Sequence, residues 1–336
     1  MRLYFLKQCF LITFIWTLSM LAHALDSSVL EKQAQTSIEQ LYHKLGVKPK
    51  LCIQERIDWF SAHYLGMPYE LGSLGEGPNG RYDQYPLYRV DAFDCDTYVN
   101  TILALALAQS FTDFQRCLQL LRYDSAKISY LHRLHFTGLD WNRAHQQQKL
   151  LHDITPTLVD NNRQPVAEYA TALIDKNQWY QMKDIDTIRI TSSKKEQKRR
   201  LEELKNKGRL IRTETEKVPY IPLNKLFIDG KKPDLKLFSQ IPQGAIIEIV
   251  RPNWDLRAKI GTALNISHLG FAIWKGQVLY FRQASSERGK TVDIPLVSYL
   301  QKALSSPTIK GINIQTVIPT YPDDFKCGNS FHQSVD

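Results

Sequence analysis

Helical patterning fills the first part of this chain and strand patterning the last, and that segregation restricts its fold more than any other feature. From Ser27 to Leu65, residues such as Leu30, Ile38, Leu41, Ile53, Ile57 and Phe60 form apolar stripes at helical spacing. A second helical region opens at Cys95 and runs to Arg122. In it Val99, Ile102, Leu103 and Ala106 share one face, and neither Gly nor Pro interrupts Tyr98 to Ser110. Between the two, Gly66 to Arg89 is dense in Gly, Pro and Tyr and reads as a long irregular loop. Strand signals gather later, at Ala245–Val250, Leu269–Trp274, Val278–Arg282 and Gly311–Val317. The turns Ile241-Pro242-Gln243-Gly244 and Lys275-Gly276-Gln277 separate them. Helices followed by an antiparallel sheet predict an α+β domain.

The N-terminus reads as an export signal. Arg2 and Lys7 precede an apolar run from Cys9 to Leu21, and Ala22-His23-Ala24 supplies a small-x-small cleavage pattern. The run is shorter than a spanning helix needs, which predicts cleavage near Ala24 and no stable membrane insertion afterwards. Residues 1–24 are then a signal peptide and residues 25–336 a single domain, periplasmic or secreted. A formal net charge of +9 suits an anionic partner, and export ranks cell-wall polymers above nucleic acid. Part of that charge is local. Lys194 to Arg200 opens a basic helical insertion near 191–217, read as a solvated face.

Four cysteines remain after processing: Cys52, Cys95, Cys117 and Cys327. They can pair in an oxidising compartment. No Cys-x-x-Cys and no zinc spacing occurs, so neither metal nor cofactor is predicted. Cys117 falls on a helix-like apolar stripe and reads as a small core residue. Cys95 differs, because it stands at a helix start flanked by Asp94 and Asp96. Unpaired N–H groups and the helix dipole there are expected to favour its thiolate, the nucleophilic form. Far downstream, His268 heads an apolar strand-like run in Ser267-His268-Leu269-Gly270. A cysteine on a helix start and a histidine on a later strand is the arrangement of papain-like cysteine hydrolases.

Five segments occur in order: Leu65-Gly66-Met67-Pro68-Tyr69, Phe93-Asp94-Cys95-Asp96-Thr97, Arg122-Tyr123, Arg133-Leu134-His135-Phe136 with Trp141, and Ser267-His268-Leu269-Gly270. Together they resemble the N-acetylmuramoyl-L-alanine amidase-like family, a branch of the NlpC-type papain-like cysteine peptidases. The resemblance implies a papain-like, NlpC-type fold that cuts the amide between N-acetylmuramic acid and L-alanine in peptidoglycan fragments or muropeptides. It implies Cys95 as nucleophile, His268 as base, and Gln283, in Gln283-Ala284-Ser285, at the third position where such enzymes commonly carry histidine. A glutamine oxygen can accept the imidazole N–H and hold its tautomer, without a carboxylate's charge. Tyr69, Asp94, Arg133 and His135 become candidate substrate contacts. Helix capping is the stronger expectation for Asp94, and structural or substrate-lining roles are expected for His132 and His135. Tyr82, Tyr85 and Tyr88 line a saccharide groove or simply pack the loop. Two alternatives compete: an endopeptidase cutting between D-glutamate and the diamino acid, and a non-catalytic wall-binding protein.

Overall fold

In the computed structural model, residues 27–47 and 50–327 are described. The expected signal peptide, with its Ala24 cleavage point, lies outside them. Helices α1 (Ser27–Gly46), α2 (Ile53–His63), α3 (Cys95–Leu107) and α4 (Phe111–Arg122) come first. A wide π turn at Thr137–Trp141 leads into α5 (Asn142–Gln147) and the short strand β1 (Leu151–Asp153). Then follow β2 (Glu168–Ile174), α6 (Lys176–Gln181), α7 (Lys194–Gly208), β3 (Glu214–Pro222), α8 (Leu223–Leu226), β4 (Phe227–Ile228), β5 (Lys232–Pro233) and α9 (Leu235–Ser239). The chain closes with β6 (Ile246–Asp255), α10 (Arg257–Ile260), β7 (Ala263–Lys275), β8 (Val278–Ser285), β9 (Lys290–Pro295), α11 (Leu296–Ala303) and β10 (Gly311–Val317). The α+β reading holds, with an antiparallel sheet in the order β2-β3-β10-β6-β7-β8-β9 and β1 paired to β10.

The sequence reading missed the short strands β1, β4 and β5, the strand β9, and the longer pair β2 and β3. β2 pairs along its whole length with Glu214–Tyr220 of β3, whose last residues pair with β10, so Glu214 to Lys217, assigned to the insertion, belong to the main sheet. Only the basic helix α7 stands out from it. That helix is more than a solvated face, since Leu204 and Gly208 are buried and Glu203 accepts the Tyr82 hydroxyl at 2.8 Å. It thereby clasps the loop at 66–94.

The sheet carries a core on each face. On one side Leu269, Phe271, Ile273 and Ala284 pack against α1 to α4. On the other, Ile247, Ile249, Ala272 and Phe281 pack beneath α8, α9 and α11. Helix α3 is buried on all sides from Thr97 to Leu107, which explains why it is apolar well beyond the one face seen in the sequence. Its C-terminal carbonyls would be orphaned there. Arg56 of α2 satisfies them, donating to Ala106 O at 2.6 Å, to Leu105 O at 3.2 Å and to Ala108 O. Arg282 of β8 ties the sheet to α2 through Asp58 at 2.8 Å and to β9 through Asp293 at 2.7 Å.

Cys117 is buried as expected, but it is also disulfide-bonded to Cys327 across 210 residues of sequence. This corrects its reading as a simple core residue. Cys52 and Cys95 are free.

Candidate active site

Helix α3 begins at Cys95 because Asp94 caps it. One Asp94 oxygen accepts Thr97 N–H at 2.8 Å, and the Thr97 hydroxyl accepts Asp94 N–H at 2.9 Å. The other Asp94 oxygen accepts Gly72 N–H at 2.7 Å, which draws the 66–94 loop against the helix start. Capping, the stronger expectation for Asp94, is what its geometry delivers. Tyr69 reaches the same place, because its backbone bridges Phe93.

Strand β7 crosses in front of this helix end. The backbone N–H groups of Leu269, the residue after His268, and of Asp96 lie near enough to the Cys95 sulfur to pull its pKa down. A register shift against β6 falls between the pairs Ile249–His268 and Val250–Ile266, so the strand bulges at Ser267. On β8, Gln283 Oε1 accepts Nε2–H of His268 in a short hydrogen bond. That bond assigns the proton to Nε2 and leaves Nδ1 with a free lone pair. The contact requires Gly270. A Cβ there would meet Arg282 O at 2.6 Å, a Phe281 ring carbon at 2.8 Å and Gln283 Cβ at 2.9 Å. The imidazole also stands edge-on to Phe281, 5.7 Å between ring centres.

The electrostatics differ from the expectation of a stabilised thiolate. Burial, then the charges of Asp94 and Asp96, push the Cys95 thiol well up, and the two backbone N–H donors only partly oppose them. Burial pushes His268 below its ordinary 6.5, against the Gln283 hydrogen bond and the Asp94 charge. Thiol and imidazole are therefore both neutral at rest. Tyr69 is pushed up to about 12, chiefly by burial, with Cys95 and the Asp94 carboxylate close by, so its phenol keeps its proton.

Cys95, His268, Gln283, Tyr69 and Asp94 thus come together. Arg133 and His135 do not join them directly. Arg133 pairs with Glu76 at 2.5 Å and Asp83 at 3.0 Å. His135 gives its Nε2 to the Tyr130 carbonyl at 2.8 Å and packs against Trp179. Arg133 still acts on the site, since with Arg122 it counters the burial and the Asp94 charge that raise Asp96 to about 6. Tyr82 and Tyr88 are buried in the loop and Tyr85 lies under Arg189, so packing accounts for all three.

Two neighbours escaped the sequence reading. Asn100, one turn below Cys95, donates to Asp96 Oδ1 at 3.0 Å and accepts the Trp141 indole N–H at 2.9 Å. Its spacing of four from Asp96 was the available signal. Tyr299 of α11 packs edge-on against Phe281, and its pKa is raised chiefly by burial with Cys95 near enough to add to it. No local pattern marks it, because only the packing of α11 brings it there.

The model of the AmiA-like family, described as N-acetylmuramoyl-L-alanine amidase-like, matches residues 59–309. The crystal structure of protein LPG0564 from Legionella pneumophila, which carries the family-model name DUF1460, is 58% identical. That match covers 88% of this chain and 98% of the other, with a TM-score of 0.86. An N-acetylmuramoyl-L-alanine amidase from Bacteroides uniformis shares the fold at 22% identity and a TM-score of 0.55, over 79% of this chain and 99% of its own. No curated protein sequence matched the chain.

Proposed function

The chain belongs to the AmiA-like, N-acetylmuramoyl-L-alanine amidase-like family, and from that premise we propose that it cleaves the amide between N-acetylmuramic acid and L-alanine in peptidoglycan fragments with Cys95 as nucleophile. Family membership supports a peptidoglycan amidase-type hydrolase in general. The cysteine mechanism rests on one observation: the Cys95 sulfur meets the backbone of β7 at Leu269, beside a His268 whose tautomer Gln283 fixes. On this reading the NlpC-type, papain-like arrangement is retained with glutamine in the third position.

Because both groups rest neutral, proton transfer accompanies attack. His268 Nδ1 takes the thiol proton as Cys95 Sγ bonds to the carbonyl carbon. The backbone N–H of Cys95 and the protonated Tyr69 phenol are the proposed donors to the oxyanion. The tetrahedral intermediate collapses, the C–N bond breaks, and the imidazolium returns the proton to the leaving L-alanine nitrogen. Water, deprotonated by His268, then cleaves the thioester to a carboxylate and regenerates the thiol. The Asp94 charge stabilises the imidazolium that Gln283, being neutral, stabilises less. Arg133 and His135, both partly exposed outside the Cys95 cluster, are proposed to contact the substrate.

The Cys117–Cys327 disulfide supports export to an oxidising compartment, the periplasm or outside the cell. Among the described residues no helix is long and apolar enough to cross a membrane. Residues 25–336 are read as one amidase domain.

Kinetics of Cys95→Ala on purified muropeptides test the mechanism. Turnover is expected to vanish while the circular dichroism stays native. Cys52→Ala, which removes the other free thiol, is expected to retain activity. Near-wild-type turnover by Cys95→Ala contradicts the reading.

A further inference from the structure

Helix α7 gives only one of its faces to the fold. The inner face holds Leu204 and Gly208, and Glu203 clasps the 66–94 loop through Tyr82. The outer face has no part in the core, yet this segment carries most of the molecule's charge. Residues 191–212 contain nine Lys or Arg against three Glu, a net six of the chain's nine formal positive charges. Two of the three carboxylates are already taken up, Glu196 by Arg199 and Arg200, and Glu203 by Arg81 and Lys207. Among the described ion pairs none engages Lys194, Lys195, Lys198, Lys205, Arg209 or Arg212.

Helix stability does not account for this placement. Lys194 and Lys195 open the helix directly after its Ser193 cap, where the dipole disfavours cations, and both are exposed. At about 3.6 residues per turn, Lys194, Lys198, Lys205 and Arg209 fall on one stripe about 22 Å long, with Glu202 on its flank. The stripe ends beside exposed apolar side chains. Leu210, next to Arg209, is 84% exposed, and Met182 is 48% exposed. Gln181, which precedes Met182, donates to the Lys205 carbonyl at 2.9 Å and accepts Arg209 Nε–H at 3.2 Å, so the two segments adjoin. A soluble polyanion would engage the cations alone. Cations with Leu and Met beside them match an interface that offers anionic headgroups and acyl chains together.

We propose that the outer face of α7 docks the protein on a bilayer rich in anionic phospholipid, with the Lys and Arg stripe on the headgroups and Leu210 and Met182 at the upper acyl chains. The docking is peripheral and reversible. It uses one helix face, and its exposed charges are screened by salt.

Co-sedimentation with vesicles of phosphatidylglycerol and phosphatidylcholine in equal parts, against vesicles of phosphatidylcholine alone, tests this. Wild type and variants are purified with the same N-terminus, so any contribution of residues 1–24 is common to all. Binding is expected to be stronger on the anionic vesicles and to weaken as salt is raised. The triple variant Lys194→Gln, Lys195→Gln, Lys198→Gln, at three exposed positions, is expected to keep its native circular dichroism and to bind about 100-fold more weakly, at about fivefold for each cation removed. Leu210→Ser is expected to weaken vesicle binding while leaving binding to polyglutamate, a soluble polyanion, unchanged. Equal binding to both kinds of vesicle, or undiminished binding by the triple variant, overturns the proposal. Vesicle binding by Leu210→Ser as tight as wild type also overturns it and assigns the face to a soluble or wall-borne polyanion. The vesicles hold no amidase substrate, so this result is independent of the Cys95 mechanism.

Discussion

The residue that decides how this site works is His268. It is half-buried and neutral, with one nitrogen committed to Gln283 and the other free. Removing the Gln283 oxygen frees the ring to rotate and to take the wrong tautomer. Gln283→Ala is therefore expected to lower kcat by about 10- to 1000-fold with little change in KM. Gln283→His, which offers another acceptor, should recover much of the loss. Steady-state kinetics of both variants check this, and a Gln283→Ala enzyme as fast as wild type means another group orients the ring. The same neutrality fixes the acid limb of the pH profile. The base must be unprotonated, and its pKa lies below 6.5, so the acid limb of kcat/KM should have its midpoint below pH 6.5. A limb centred above 6.5 contradicts a half-buried neutral base. At this scale much was legible in the sequence. Cys95 at a helix start, His268 on a later strand and Gln283 as its acceptor are all readable from pattern and resemblance, although β7 begins at Ala263 and holds His268 in its interior, not at its head. What misled was the balance of forces at Cys95. The helix start favours a thiolate, but burial and two adjacent carboxylates oppose it more strongly, and burial is not visible in a one-dimensional pattern.

Among the elements, the helical first third and the strands β6, β7, β8 and β10 follow from apolar periodicity, because each offers a clear face to a core. β2 and β3 do not. Glu214-Thr215-Glu216-Lys217 looks solvated next to the basic run, yet Glu216 is buried within β3, bound to Asn265 at 2.9 Å. Glu248 hides similarly in the run Ile246-Ile247-Glu248-Ile249-Val250. Such residues carry a pH signature. Glu248 binds its proton more tightly folded, up to about 8, than at the ordinary 4.5. Its contribution to stability is thus complete below pH 4.5 and is lost as pH rises through about 8. Glu248→Gln should flatten that decline and raise Tm relative to wild type above pH 8. Thermal denaturation across pH measures this. Parallel Tm curves for the two proteins mean that Glu248 does not titrate as described.

For the molecule as a whole, the long connection is covalent. Cys117 in α4 and Cys327 after β10 join the helical layer to the end of the chain. Cross-linking so long a loop constrains the unfolded chain, by about 2–5 kcal/mol in comparable cases. The Cys117→Ala, Cys327→Ala double variant should lose stability of that order in denaturant titration while Cys95 remains alkylatable. Unchanged stability would show that the cross-link adds nothing to the fold. The sequence limited the pairings of four cysteines but left the choice open, because only the packing of the final segment against α4 selects the partner.

The central claim is that one defined amide is cut by Cys95. Mass spectrometry of muropeptides digested with the wild-type protein and with Cys95→Ala tests it most directly. The account predicts an intact peptide with a free L-alanine amine and a sugar bearing a free lactyl carboxylate, both absent with Cys95→Ala. A sugar still carrying L-alanyl-D-glutamate would mean cleavage before the diamino acid. That product, no cleavage at all, or equal products from both proteins would contradict the account.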